Sequence, residues 1–308
     1  MRKKVLVFGS YVVDVMSRSP RLPIPAETVK GSSFRIGCGG KGFNQASAAR
    51  RAGADVSFST KIGTDNFGKI ALETIAGMDI DTCNVIVQDE YDTGIALIMV
   101  DEVSGQNQIV VCIGACDQVT SDDVDGLKRV IAESNILLVQ METNQDALEQ
   151  VVRLAYDSGS SIILNPAPAH TDPSSLYPMI DILTPNETEA EELSGIKIET
   201  TADMAAASDF FLSKGVQNVI ITLGSKGVYL HTNDYKGIIK PFTVEALDTT
   251  GAGDAFSGAL AAALSEEMEM LAAVRFAQAA AALCVTKLGS SNAMAFRQDI
   301  DKLLERET

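Results

Sequence analysis

Short apolar runs rich in β-branched residues recur along this chain, and helical patterns fill many of the gaps between them. The runs are "KVLVFG", "VSFSTKIG", "NILLVQ", "SIILN", "DILTP" and "NVIITLG"; the helical patterns include Ser121–Glu133, Asn144–Asp157 and Ala202–Lys214. This alternation predicts a largely parallel sheet with helices on both faces, an α/β fold. At 308 residues and 46% hydrophobic composition the chain can bury a sizeable core. With no low-complexity linker or internal repeat, residues 1–308 read as one domain.

Two segments break the rhythm. Arg21–Ile36 and Thr93–Cys112 read as short strands with turn residues and no helix between. They predict a small antiparallel sheet, drawn from about residues 12–37 and 92–113, projecting from the core. An isolated small sheet is marginal, so its exposed face is expected to cover a site or to pair with another subunit.

Several core strands end in small or polar residues: "FGSYVVD", "VQMET", "LNPAP", "TPNETE" and "TLGSKG". Open parallel sheets bind ligands beyond the carboxyl ends of their strands, so these residues outline a site along one edge.

The charge balance limits what that site serves. Forty-one acidic against 25 basic residues give a net charge of -16, which argues against nucleic-acid or acidic-membrane partners. The five cysteines form no CxxC pair, and only His170 and His231 could join them, so no zinc cluster is expected. Reduced thiols, no membrane-length apolar stretch and an N-terminal apolar run too short for a signal peptide predict a cytoplasmic protein.

Three glycine-rich stretches bear on chemistry. In "GCGGKGFNQA", Gly37, Gly39 and Gly42 have G-x-G-x-x-G spacing, which keeps a nicotinamide enzyme among the alternatives. The same turn opens onto Lys41, Asn44 and the helical pattern Gln45–Ala52, and suits close approach of backbone to a polyhydroxyl ligand. "TLGSKG" reads as a nucleotide-phosphate turn or as a plain turn into strand Val228–His231, and there is no P-loop. In "LDTTGAGDAFSGAL", Gly251, Ala252 and Gly253 offer backbone N–H groups to an anion at a helix start, yet Asp254 follows. A carboxylate there is either an ordinary first-turn acid, worth about 0.3–1 kcal/mol against the helix dipole, or the proton acceptor for a hydroxyl attacking phosphorus.

Taken in order, "GGKGFNQA", "NPAP", "TPNETEAEELSG", "ITLGSKGV" and "DTTGAGDAFSGAL" resemble the ribokinase branch of the PfkB sugar kinases, over Val5 to about Glu305. The resemblance implies a three-layer α/β/α sandwich with a β lid that often dimerises. It also implies transfer of the ATP γ-phosphate to a primary sugar hydroxyl, most simply that of D-ribose. Asp254 matches the catalytic base, with Gly251, Ala252 and Gly253 as anion hole. Asn186 and Glu189 match the element that organises Mg2+ and phosphates. Thr222, Gly224, Ser225, Lys226 and Gly227, together with Gly253 and Gln278, match the ATP side. Val12, Asp14, Gly40, Lys41, Gly42, Phe43, Asn44 and Glu142 match the sugar side. A K+ ion is implied at Asp248, Thr250, Cys284, Lys287, Gly289 and Ala293, the last through its carbonyl alone. Val12 stands where ribokinases typically have an Asn, and deoxyribokinases resemble this chain there. Phe43, where a small residue is common, is expected to narrow the pocket floor. The alternatives are a kinase for 2-deoxyribose, a ketohexose or a nucleoside.

Overall fold

Between Val5 and Phe8 every side chain is buried, and they alternate between two separate cores. Val5 and Val7 join one; Leu6 and Phe8 join the other. That alternation fixes the strand Lys4–Phe8 (β1) in the middle of a sheet covered on both faces. The computed structural model describes residues 3–306; the two residues at each end of the predicted domain lie outside that range.

The remaining strands are β2 Val12–Ser19, β3 Ser33–Gly39, β4 Asp55–Gly63, β5 Val85–Gln88, β6 Gly94–Asp101 and β7 Asn107–Cys112, then β8 Ile136–Val139, β9 Ser161–Leu164, β10 Ile182–Leu183, β11 Asn218–Thr222, β12 Val228–His231 and β13 Lys236–Ile239. Eight of them join β1 in the central sheet, in the order β13-β12-β11-β10-β9-β8-β1-β4-β5. It is parallel from β11 through β5, and only the β11–β12–β13 edge is antiparallel. One core packs against helices Lys41–Arg51, Asn66–Gly77, Ala252–Ser265 and Met270–Cys284; the other packs against Gln145–Asp157, Glu187–Ser194 and Thr201–Ser213. This is the predicted three-layer α/β/α arrangement.

The other four strands make a separate sheet, β3-β2-β6-β7. It departs from the expected antiparallel form, because its central pair, β2 and β6, is parallel. Both strands leave the same carboxyl edge of the central sheet, β2 directly after β1 and β6 directly after β5, so they run outward together. Nor is Arg21–Ile36 all strand: only Ser33 onward pairs. Pro23 and Pro25 offer no N–H to a ladder, and Glu27 instead holds the loop by pairing with Arg21 and accepting from the Ile24 N–H at 3.1 Å. A second correction concerns Ser121–Glu133, which divides at Leu127 into two short helices just after Gly126.

Candidate active site

Asp254 is the third residue of the helix Ala252–Ser265, and its side chain does not cap that helix. It crosses instead to the neighbouring helix Lys41–Arg51. The crossing is close because residue 258 is glycine: a Cβ there would collide with the Gln45 carbonyl oxygen and lie 2.6 Å from Ala48 Cβ. At that separation Asn44 Nδ2 donates to Asp254 Oδ2 at 2.9 Å, and Gln45 Nε2 donates to Oδ1 at 3.0 Å. The predicted helix start at Gln45 moves back to Lys41, so Lys41 and Asn44 stand in its first turn.

Burial pushes the Asp254 carboxyl above the usual carboxylate range. Lys41 and the two amides pull against that rise, while Glu142 adds to it. Burial likewise opposes the charge on Lys41, but Asp254, Glu142 and Glu189 more than restore it. The lysine is thus a cation ringed by three carboxylates.

The helix start beside Asp254 exposes donors. Among the described residues, the N–H groups of Gly251 and Gly253 donate to no protein acceptor, whereas that of Ala252 reaches the Thr249 carbonyl at 3.3 Å. The two glycines differ. Gly251 sits at φ 76° with Met294 and Ser290 3.3 Å from where a Cβ would be, so the fold itself requires it. A Cβ on Gly253 would meet nothing within 4 Å. Its missing side chain leaves open space beside unpaired amides, which is what a bound anion needs.

Two cavities adjoin there. The smaller, about 170 Å³, is polar and is walled by Lys41, Asn186, Glu189, Gly253 and Asp254. The larger, about 390 Å³, has apolar walls including Val228, Phe242, Val244 and Ala282, with Gln278 on one side. Thr222, Thr249, Ala252 and Gly253 line both.

The other predicted residues divide: most of the ATP-side ones line these cavities, whereas on the sugar side only Lys41 does. Asn186 and Glu189 form a reciprocal capping box, each side chain accepting from the other's N–H at 2.8 Å, while facing the polar cavity. Gly224, Ser225 and Gly227 line the apolar cavity; Lys226 lines neither and pairs with Glu187 at 2.9 Å. Gln278 Nε2 donates to the Ile239 and Lys240 carbonyls at 3.3 and 3.4 Å. Glu142 Oε2 accepts from Ser10 Oγ at 2.5 Å and from the Lys41 N–H at 2.9 Å, closing the helix start from another element. Asp14 is pushed up by burial and by Glu142. Val12 is buried at the start of β2, opposite Gly39 and Gly94. Gly40, at φ 86°, caps the helix, and Gly42 lets it close on β1, since a Cβ would come 2.5 Å from the Gly9 carbonyl carbon. Phe43 lines neither cavity; its ring lies in the core between Tyr11 and Phe58.

The residues assigned to a cation also gather. Asp248 accepts from the Thr250 and Gly289 N–H groups at 2.9 Å each, and these bonds hold its carboxyl below the usual range against the opposing effect of burial. Cys284 Sγ lies 3.9 Å from the Thr250 carbonyl, the Lys287 N–H bonds the Cys284 carbonyl at 3.1 Å, and Ala293 packs beside Cys284.

Gln45, Gln140, Ser10 and Asn165 also belong to this site, and no local sequence pattern marks a role for any of them. Gln45 was the nearest to legible, standing next to Asn44, but its partners are 95 to 209 residues distant.

A model described as "pfkB family carbohydrate kinase" matches residues 2–296. The chain belongs to that family. A ribokinase of Haemophilus influenzae is 41% identical over 305 residues, covering 99% of each chain. A deoxyribokinase of Salmonella typhi is 32% identical over 289 residues, covering 94% of each. The structure of Arabidopsis thaliana ribokinase complexed with ribose and ATP superposes with a TM-score of 0.89 at 32% identity, over 99% of both chains. Membership in the pfkB carbohydrate kinases overturns the nicotinamide alternative. Its glycines Gly37 and Gly39 lie in β3 of the small sheet, not after a core strand.

Proposed function

We propose that this protein transfers the γ-phosphoryl group of ATP to the primary 5-hydroxyl of a pentose, D-ribose first. One observation carries the reading: a buried carboxylate, oriented by two amide donors, stands one residue beyond the unpartnered N–H of Gly253. In the proposed step the sugar hydroxyl gives its proton to Asp254 as its oxygen bonds the γ-phosphorus. The bond from that phosphorus to the bridging oxygen breaks, and ADP leaves. The Gly251 and Gly253 amides and Lys41 offset the negative charge on the transferring group.

The apolar cavity suits a flat base, with Gln278 at its side, and the polar one suits the phosphates. Among the described residues no three of His, Cys, Asp and Glu gather as a metal site. Mg2+ therefore fits as an ion brought on the triphosphate, with Asn186 and Glu189 nearby, where it would neutralise phosphate charge. For a monovalent K+ beside the anion hole we assign the Asp248 carboxylate with oxygens at Thr250, Cys284, Lys287, Gly289 and Ala293, a reading supported by the Thr250 and Gly289 N–H groups that tie those segments to Asp248. On the sugar side we assign Asp14, Gly40, Lys41, Gly42, Asn44 and Glu142. Asn44 Oδ1 is a buried acceptor without a protein partner, as a hydroxyl-binding group would be.

The small sheet is read as a lid and as a homodimer face, because β7 is exposed throughout and Phe34, Ile109 and Val110 lie on the surface. No helix among the described residues is long and apolar enough to cross a membrane.

Val12 supports 2-deoxyribose as the second reading, since it can bond no hydroxyl. ADP release from ATP with ribose, 2-deoxyribose, a ketohexose and a nucleoside tests both. Release with none of the sugars would sink the proposal.

A further inference from the structure

The buried amides behind Asp254 run in one direction. Asn165 Nδ2 donates to the main-chain carbonyl of Thr184 at 2.9 Å, and a carbonyl can only accept. Asn165 therefore turns Oδ1 toward Gln45, whose Nε2 donates to it and to Asp254 Oδ1, each at 3.0 Å. With both Nε2 hydrogens in use, Gln45 Oε1 faces Gln140 and accepts from its Nε2 at 2.7 Å. The series ends on Gln140 Oε1, a buried acceptor with no protein partner.

Burying these carboxamides carries a desolvation cost. An apolar core at these positions would avoid the cost, so space-filling does not explain the glutamines. Gln45 is fully buried, which keeps it off any substrate.

We propose that Gln45 is the positioning residue of the catalytic base: its carboxamide, oriented by Asn165 and Gln140, fixes one Asp254 oxygen and so aims the carboxylate at the acceptor hydroxyl. This rests on the reading of Asp254 as the base. The donation also favours the ionised carboxylate, against burial. The other groups acting on or with Asp254 are the Asn44 amide, Lys41, Glu142, Glu189 and the Cys284 thiol, and a substitution at position 45 leaves all five in place.

The test measures kcat and KM against pH, by ADP release, for Gln45→Met, Gln140→Glu and Asp254→Asn, with folding checked by circular dichroism and melting. Gln45→Met is expected to lose roughly ten- to a hundredfold in kcat while KM stays within about threefold. Its acid limb should move up by about one pH unit. Gln140→Glu keeps Gln45 but replaces a donor with an acceptor, and should move the limb the same way. A folded Gln45→Met with an unshifted limb and unchanged kcat overturns the inference. If Gln45→Met does not fold, an unshifted limb in Gln140→Glu overturns it. Near-normal turnover by Asp254→Asn would overturn the base reading itself. An inactive Asp254→Asn beside an unshifted Gln45→Met limb would remove only the role of Gln45.

Discussion

Asn44 and Asp254 stand 210 residues apart in the chain, and one hydrogen bond of 2.9 Å joins their side chains. That bond ties the helix carrying the proposed sugar contacts to the helix carrying the proposed base. Removing the carboxylate while keeping the shape therefore isolates its chemistry. Asp254→Asn should lower kcat at least about a hundredfold, the lower bound for general-base catalysis, while calorimetry still detects sugar binding. Near-normal turnover would refute the assignment.

The same carboxyl sets a pH dependence. Burial raises it above the ordinary aspartate range, so the native state holds its proton more tightly than the unfolded chain does. Two consequences have defined signs. The acid limb of kcat should lie above about pH 4, the ordinary aspartate value. This residue's contribution to stability should also decline as pH rises from there through its folded value. A limb at or below the ordinary value would count against Asp254 as the titrating group.

Asp248 behaves oppositely. Its carboxyl is held low by the Thr250 and Gly289 N–H groups, so its stabilisation is present above the ordinary aspartate value and is lost as pH falls through the folded one. Asp248→Ala should lower stability by about 1–3 kcal/mol at neutral pH through the loss of two hydrogen bonds to a charged group. It should also remove any activation by KCl. Melts across pH, and rates titrated with KCl against NaCl, read the two effects separately.

Gly253 and Gly251 offer a paired contrast. Alanine at 253 meets no protein atom, so Gly253→Ala should melt normally yet lose activity as its methyl enters the space given to phosphate. Alanine at 251 must adopt φ 76° against Met294 and Ser290, so Gly251→Ala should cost about 1–3 kcal/mol in stability. A melting loss at 253 equal to that at 251 would reduce the glycine pair to a backbone requirement.

Val12 is the position to change for specificity. If it reads a sugar hydroxyl, Val12→Asn should raise kcat/KM for ribose relative to 2-deoxyribose by about tenfold or more. An unchanged ratio would move the determinant elsewhere.

What the sequence made legible follows from locality. The α/β layering is written in runs such as "KVLVF", because two-sided burial demands apolar residues at successive positions. Asp254 and the glycines before it were visible because a helix start is built from adjacent residues. The capping box of Asn186 and Glu189 is equally local. The amide series through Gln45, Gln140, Asn165 and Thr184 was not, because each link joins a different element and no single segment shows a pattern. The parallel pairing of β2 with β6 was hidden likewise, since direction depends on where each strand leaves the central sheet.

The close crossing at Gly258 also orders events in time. Helix Lys41–Arg51 leaves the ribosome early, carrying Asn44 and Gln45, while Ala252–Ser265 emerges some two hundred residues later. Until that second helix is made and docks, no carboxylate stands beside the amides. The phosphoryl chemistry proposed for the site therefore waits on the docking of Ala252–Ser265, and no shorter nascent chain holds its base.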